Sequence, residues 1–109
     1  MRYHLIVYVP LADAQTIRGI LANNGVGKIG NYDSCSFSAR GIGRFRALKG
    51  ADPYIGKIGT VEEVEEERIE AVVPDDVDMT KLLREIRKAH PYEQPAIHIL
   101  PMADEDTIS

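Results

Sequence analysis

The chain has 109 residues, a size that suits one domain rather than two. It is 44% hydrophobic and 28% charged with a net charge of −4, a composition that supports a buried core and argues against nucleic acid as the main partner. The single cysteine, Cys35, excludes an internal disulfide and fits a reducing, cytoplasmic setting. No apolar run nears the roughly 20 residues of a membrane span, and no signal region opens the chain, so no membrane partner is expected.

Residues 3–9 are rich in aromatic and β-branched side chains and stop at Pro10, the pattern of a strand. Over residues 12–24, Ile17, Ile20 and Leu21 share one helical face, with Asp13 as an N-cap candidate and Asn24-Gly25 as a C-terminal stop. Residues 32–39 alternate, which predicts a second strand with Cys35 and Phe37 facing inward. Residues 40–60 scatter five glycines among arginines and lysines and read as a long loop holding a short strand near residues 44–48.

The acidic run of residues 62–67 reads as a solvated strand edge, and Ile69, Ala71 and Val73 continue it at period two up to Pro74. Asp75-Asp76 opens a second helix with Met79, Leu82, Leu83 and Ile86 on one face, and the late pair Arg87-Lys88 complements its dipole. Residues 96–100 form a last strand. The order predicts an α+β, ferredoxin-like βαββαβ domain over residues 1–102 with a polar tail at 103–109. Its antiparallel sheet carries both helices on one face and a long glycine-rich connection between the second and third strands. The other face stays uncovered, which predicts self-association.

Three places carry chemistry. In Gly41-Ile42-Gly43-Arg44-Phe45-Arg46, glycines admit backbone amides to an anion and Arg44 and Arg46 can hold phosphate or carboxylate. The same pattern also suits a glycine-rich hairpin with solvated charges, or a loop docked on a neighbouring subunit. In His90-Pro91-Tyr92-Glu93-Gln94-Pro95, two prolines restrict a histidine and a carboxylate. His90 and Glu93 either bind a ligand or, with Cys35, a divalent metal; alternatively His90 caps the preceding helix. Cys35 itself reads first as a small buried hydrophobe, since no base is placed beside it. No complete catalytic site assembles from these residues.

Three stretches together resemble a family signature: Gly27-Lys28-Ile29-Gly30-Asn31-Tyr32-Asp33-Ser34-Cys35-Ser36-Phe37, Gly43-Arg44-Phe45-Arg46 through Gly50-Ala51-Asp52-Pro53-Tyr54-Ile55-Gly56, and His90-Pro91-Tyr92-Glu93-Gln94-Pro95-Ala96. They are similar to the small domain inserted into dinuclear-metal proteins known as GTP cyclohydrolase 1 type 2 homologues (YqfO/YbgI-like), here expected to stand alone. That domain resembles the ferredoxin-like trimers of the CutA and PII proteins. Ser34 and Gln94 stand where the family often has histidine and glutamate, and His98 where an acidic residue is common. The resemblance does not carry cyclohydrolase activity, because the family's metals belong to a surrounding larger domain. It implies a non-enzymatic, homo-oligomeric module, with a trimer favoured, that binds a small anionic ligand or a partner protein. A metal-homeostasis role through Cys35, His90 and Glu93 is the alternative, and no other cofactor is expected.

Overall fold

In β1 (Tyr3–Pro10), Leu5, Val7 and Val9 are buried while His4, Ile6 and Tyr8 alternate to the other face. A computed structural model describes residues 1–108; Ser109, the last residue of the expected tail, lies outside the described residues. After a 3-10 turn (Leu11–Asp13), α1 (Ala14–Asn23) buries Ala14, Ile17 and Leu21. Asp13 occupies the N-cap position without a side-chain capping bond, whereas Gly25 takes the positive φ, +80°, that ends the helix. The chain continues through β2 (Phe37–Arg46), β3 (Val61–Val73), α2 (Met79–Ala89) and β4 (Ile97–Pro101), which completes βαββαβ.

The four strands form one antiparallel sheet in the order β2-β3-β1-β4. Both helices cover the face that carries Leu5, Val7, Val9, Ile69, Ala71 and Val73, and Ile17, Leu21, Leu82 and Ile86 complete that core. Helix α2 starts three residues later than the sequence suggests, because Asp78 is the cap and accepts from the Lys81 backbone N–H at 3.1 Å. Arg87 and Lys88 do fall in its last turn. Among the described residues no helix is long and apolar enough to cross a membrane.

The second strand departs from expectation. It runs over residues 37–46, so the arginine- and glycine-bearing stretch is strand and the connection shrinks to residues 47–60. Residues 27–36 turn instead: Gly27 and Gly30 have positive φ, Ser34 does too at +58°, and Ile29 bridges to Tyr32. A Cβ at Gly27 would collide with the Cys35 backbone, so this close approach requires glycine. Cys35 is only half-buried, and Phe37 is 63% exposed on the uncovered face, not turned inward.

The acidic run is a solvated edge only in part: Glu63 and Glu65 are exposed where β1 no longer pairs with β3, whereas the run's last two residues are not. It forms the first half of β3, a strand flanked by β2 and β1, with Glu66 and Glu67 both buried. Register explains the shape: β1 pairs with β3 only from Glu66 onward, whereas β2 follows β3 back to Val61. The β2–β3 ribbon therefore extends beyond the sheet, and the molecule is elongated, 50 × 28 × 24 Å.

Candidate functional site

Where the ribbon leaves the sheet, a cleft of about 480 Å³ opens on the uncovered face. Gly43 and Phe45 of β2, Tyr8 of β1 and Glu66 of β3 form its floor, and segments around Tyr54 and Tyr92 close it. These floor residues share one face by strand register, since Gly41 opposes Glu66 and Tyr8 opposes Arg68. Phe45, Tyr54 and Tyr92 form an aromatic wall, with ring centroids of Phe45 and Tyr54 at 5.9 and 6.4 Å from that of Tyr92.

The segment that follows α2 is locked by His90. Its backbone N–H caps the helix by bonding the Ile86 carbonyl, at 2.9 Å. Its ring reaches β1: Nε2–H donates to the Tyr8 carbonyl at 2.6 Å, and Nδ1 accepts from the Tyr92 backbone N–H at 3.2 Å. Those partners define a neutral ring protonated on Nε2. His90 is thus buried behind the cleft, engaged through both nitrogens, with its ring 5.1 Å from that of Tyr92. It positions Tyr92 and does not line the cavity.

Tyr92 in turn donates its hydroxyl to Glu66 Oε2 at 2.8 Å. Burial, followed by this bond to a carboxylate, pushes the phenol well above the ordinary tyrosine range, so it remains a donor at neutral pH. Register places Glu66 on the open face, and its carboxylate lies over Gly43, where a Cβ would push that flexible end aside. The glycine that reads as a loop signal in the sequence is a strand residue that yields space to an acid.

The expected site residues divide into groups. Arg44, Arg46 and Glu93 border the cleft. Both arginines are exposed, and strand alternation directs their side chains to the opposite side of the ribbon from Phe45. Glu93 lies at the rim, where its Oε1 accepts from the Asp52 backbone N–H at 3.2 Å and ties the two covering segments together. Cys35 is elsewhere: it lines a smaller cavity against α1 with Gln15 and Arg18, and its thiol contacts the Asp33 carbonyl at 3.7 Å. Cys35, His90 and Glu93 therefore do not converge. Among the described residues no three His, Cys, Asp or Glu side chains are grouped to hold a metal ion. Sequence reasoning passed over Glu66, Tyr92, Phe45 and Tyr54. The Glu66 signal was present, an acidic residue at the onset of an apolar period-two strand, but it was indistinguishable from its solvated neighbours.

The fold and cleft together define a small α+β domain built on one sheet, with a pocket on the face that its helices leave open. The periplasmic divalent cation tolerance protein CutA from Archaeoglobus fulgidus shares this fold, with a TM-score of 0.68 over 95% of this chain and 86% of that one, at 16% identity. At that identity the likeness is one of fold alone. The Bacillus cereus protein related to NIF3 contains a region that superposes on 94% of this chain with a TM-score of 0.80 and 35% identity, and this covers 26% of that protein. In sequence, the chain is 41% identical over 103 residues to the GTP cyclohydrolase 1 type 2 homologue of Halalkalibacterium halodurans, 94% of this chain and 27% of that one. The corresponding protein of Bacillus subtilis is 44% identical over 98 residues, 90% of this chain and 26% of that one. The chain thus spans about a quarter of the length of the curated relatives it matches. No family model matches it.

Proposed function

We propose that this chain is a non-enzymatic binding module whose ligand is a small molecule seated in the cleft over Gly43, Phe45 and Glu66. One observation carries the reading. A cavity of about 480 Å³ lies within the range of small-molecule sites, and it combines an aromatic wall with one convergent buried polar group. Structural reinforcement around it supports the reading too, because the His90 to Tyr8 and Tyr92 to Glu66 bonds hold the wall in place without a ligand. Titration of 15N-labelled protein with small aromatic probes of either charge tests it. Saturable amide shifts at Phe45, Tyr54 and Tyr92 are expected for at least one probe. Shifts confined to the Cys35 cavity, or no saturation by any probe, would sink the proposal.

A self-associating state belongs to the same proposal, and its support is the uncovered face, which leaves Phe37 and Leu100 exposed on opposite edge strands. Native mass spectrometry of untagged protein tests it, and a monomer at micromolar concentration contradicts it. A metal centre of Cys35, His90 and Glu93 gains no support from the geometry, because Cys35 lies in the other cavity and both His90 nitrogens are engaged.

A further inference from the structure

We infer that the cleft selects a flat organic cation, an amidinium- or guanidinium-like N–H donor on an aromatic body, through the carboxylate of Glu66. This rests on the cleft being a ligand site and adds the chemical class of the ligand. Glu66 is only 8% exposed and, among the described residues, makes no ion pair. Its cross-strand neighbours are Gly41 and Pro10. Arg68, two residues along on the same face, is held by Glu70 at 3.2 Å, and Arg18 serves Glu67 on the opposite face at 2.7 Å.

The two Glu66 oxygens differ in what they touch. Oε2 accepts from Tyr92, whereas Oε1 lies over Gly43 with no protein donor among the described residues. Oε1 of this nearly buried residue opens on the cleft, so a cation entering there can reach it and add to the single neutral donor on Oε2. The faces of Phe45, Tyr54 and Tyr92 complement such a cation if it is planar. An anion would instead meet Glu66 at the floor and Glu93 at the rim, because Arg44 and Arg46, although they border the cleft, alternate to the other side of the ribbon from Phe45. A bare metal ion finds too few ligands, since no group of three donors is assembled among the described residues.

Benzamidinium, benzamide and benzoate share one ring and differ in charge, so they make the decisive probe set for 15N NMR titration. Benzamidinium is expected to saturate with shifts at Phe45, Tyr54 and Tyr92, at least roughly tenfold more tightly than benzamide, while benzoate does not saturate. Glu66→Gln keeps an acceptor for the Tyr92 hydroxyl and is expected to abolish the preference for the cation. Tyr54→Ala removes one exposed ring of the wall, so it is expected to weaken both benzamidinium and benzamide, the cation somewhat more, while benzamidinium remains the tighter of the two because Glu66 is intact. That variant keeps the inference testable if Glu66→Gln does not fold. Equal binding of the three probes, a preference for benzoate, or a cation preference that survives Glu66→Gln overturns the inference and leaves the cleft a ligand site. Saturation by none of the three overturns both.

Discussion

Glu66 and Glu67 are consecutive in β3 and both buried, yet strand alternation sends them to opposite faces of the sheet. Glu67 enters the helix-covered side, where Arg18 of α1 meets it at 2.7 Å and also donates to Ser38 at 3.1 Å. Glu66 enters the open side, where its one hydrogen-bond partner among the described residues is the neutral hydroxyl of Tyr92. The first acid is neutralised by a cation and closed over by a helix, an arrangement that serves packing. The second faces a cavity and keeps an oxygen without a protein donor, an arrangement that suits recognition. Identical residues one peptide apart thus acquire different roles from what the fold places above each face.

The largest effect that would sharpen this contrast is in the core. Ile69→Ala, on the helix-covered face, is expected to cost about 3 kcal/mol in urea denaturation, from lost burial and the cavity left behind. Phe37→Ala, on the open face and 63% exposed, is expected to cost under about 0.5 kcal/mol in the isolated chain. Similar losses at the two positions would mean that the open face is covered in solution.

Next comes the comparison of the two acids. Arg18→Ala leaves Glu67 buried without its cation and is expected to cost about 2 kcal/mol, below the range for fully buried pairs because the arginine side chain is 28% exposed. Glu66→Gln removes no cationic partner and retains an acceptor for Tyr92, so a loss below about 1 kcal/mol is expected. If Glu66→Gln were the more damaging of the two, Glu66 would be a structural acid and the functional reading would fail.

These roles mark what sequence could and could not reveal. The element order, the core face of β1 and β3 and the apolar stripe of α2 were legible because burial on one side leaves a period of two or of 3.6. The β2 boundaries were not. Gly41 and Gly43 read as loop residues, whereas both are strand residues and a carboxylate of the neighbouring strand lies over Gly43. Ser34 and Ser36 mimic alternation within a stretch of turns that ends where β2 begins. At the candidate site, the segment that opens with His90 borders the cleft, but its histidine faces the protein and its tyrosine faces the cleft. Which of two adjacent side chains lines a cavity depends on partners distant in sequence, here Tyr8 and Glu66.

A smaller effect concerns Tyr92. Its phenol ionises above the ordinary tyrosine value of about 10, so the stability associated with it is complete below that pH and is lost as pH rises beyond it. Absorbance near 295 nm during alkaline titration, compared with Tyr92→Phe, isolates this group. Glu66→Gln is expected to bring the ionisation down only partway, because burial, the larger cause, persists. A return to the ordinary value would mean that the carboxylate alone controls Tyr92.

The smallest effect lies farther along the open face, where His4 Nε2 bonds Glu70 Oε1 at 2.9 Å and Arg68 bonds the other oxygen at 3.2 Å. The bond to His4, ahead of the charge of Arg68, holds the Glu70 carboxyl below the ordinary carboxylate range. A depressed acid contributes stability that is present above its unfolded value and lost as pH falls through its folded one. His4→Gln should therefore flatten the acid limb of the stability profile slightly, the small loss being present above the carboxylate range and vanishing at pH values below both the folded and unfolded ionisations of Glu70. Carboxyl carbon NMR of Glu70 reads the same quantity directly, and a midpoint unchanged by His4→Gln would assign the depression to Arg68 instead. Unlike Glu66, this acid has two charged or chargeable partners, so an intact Glu70 titration in the presence of benzamidinium is the control that places a cation over Gly43 and not elsewhere on the same face.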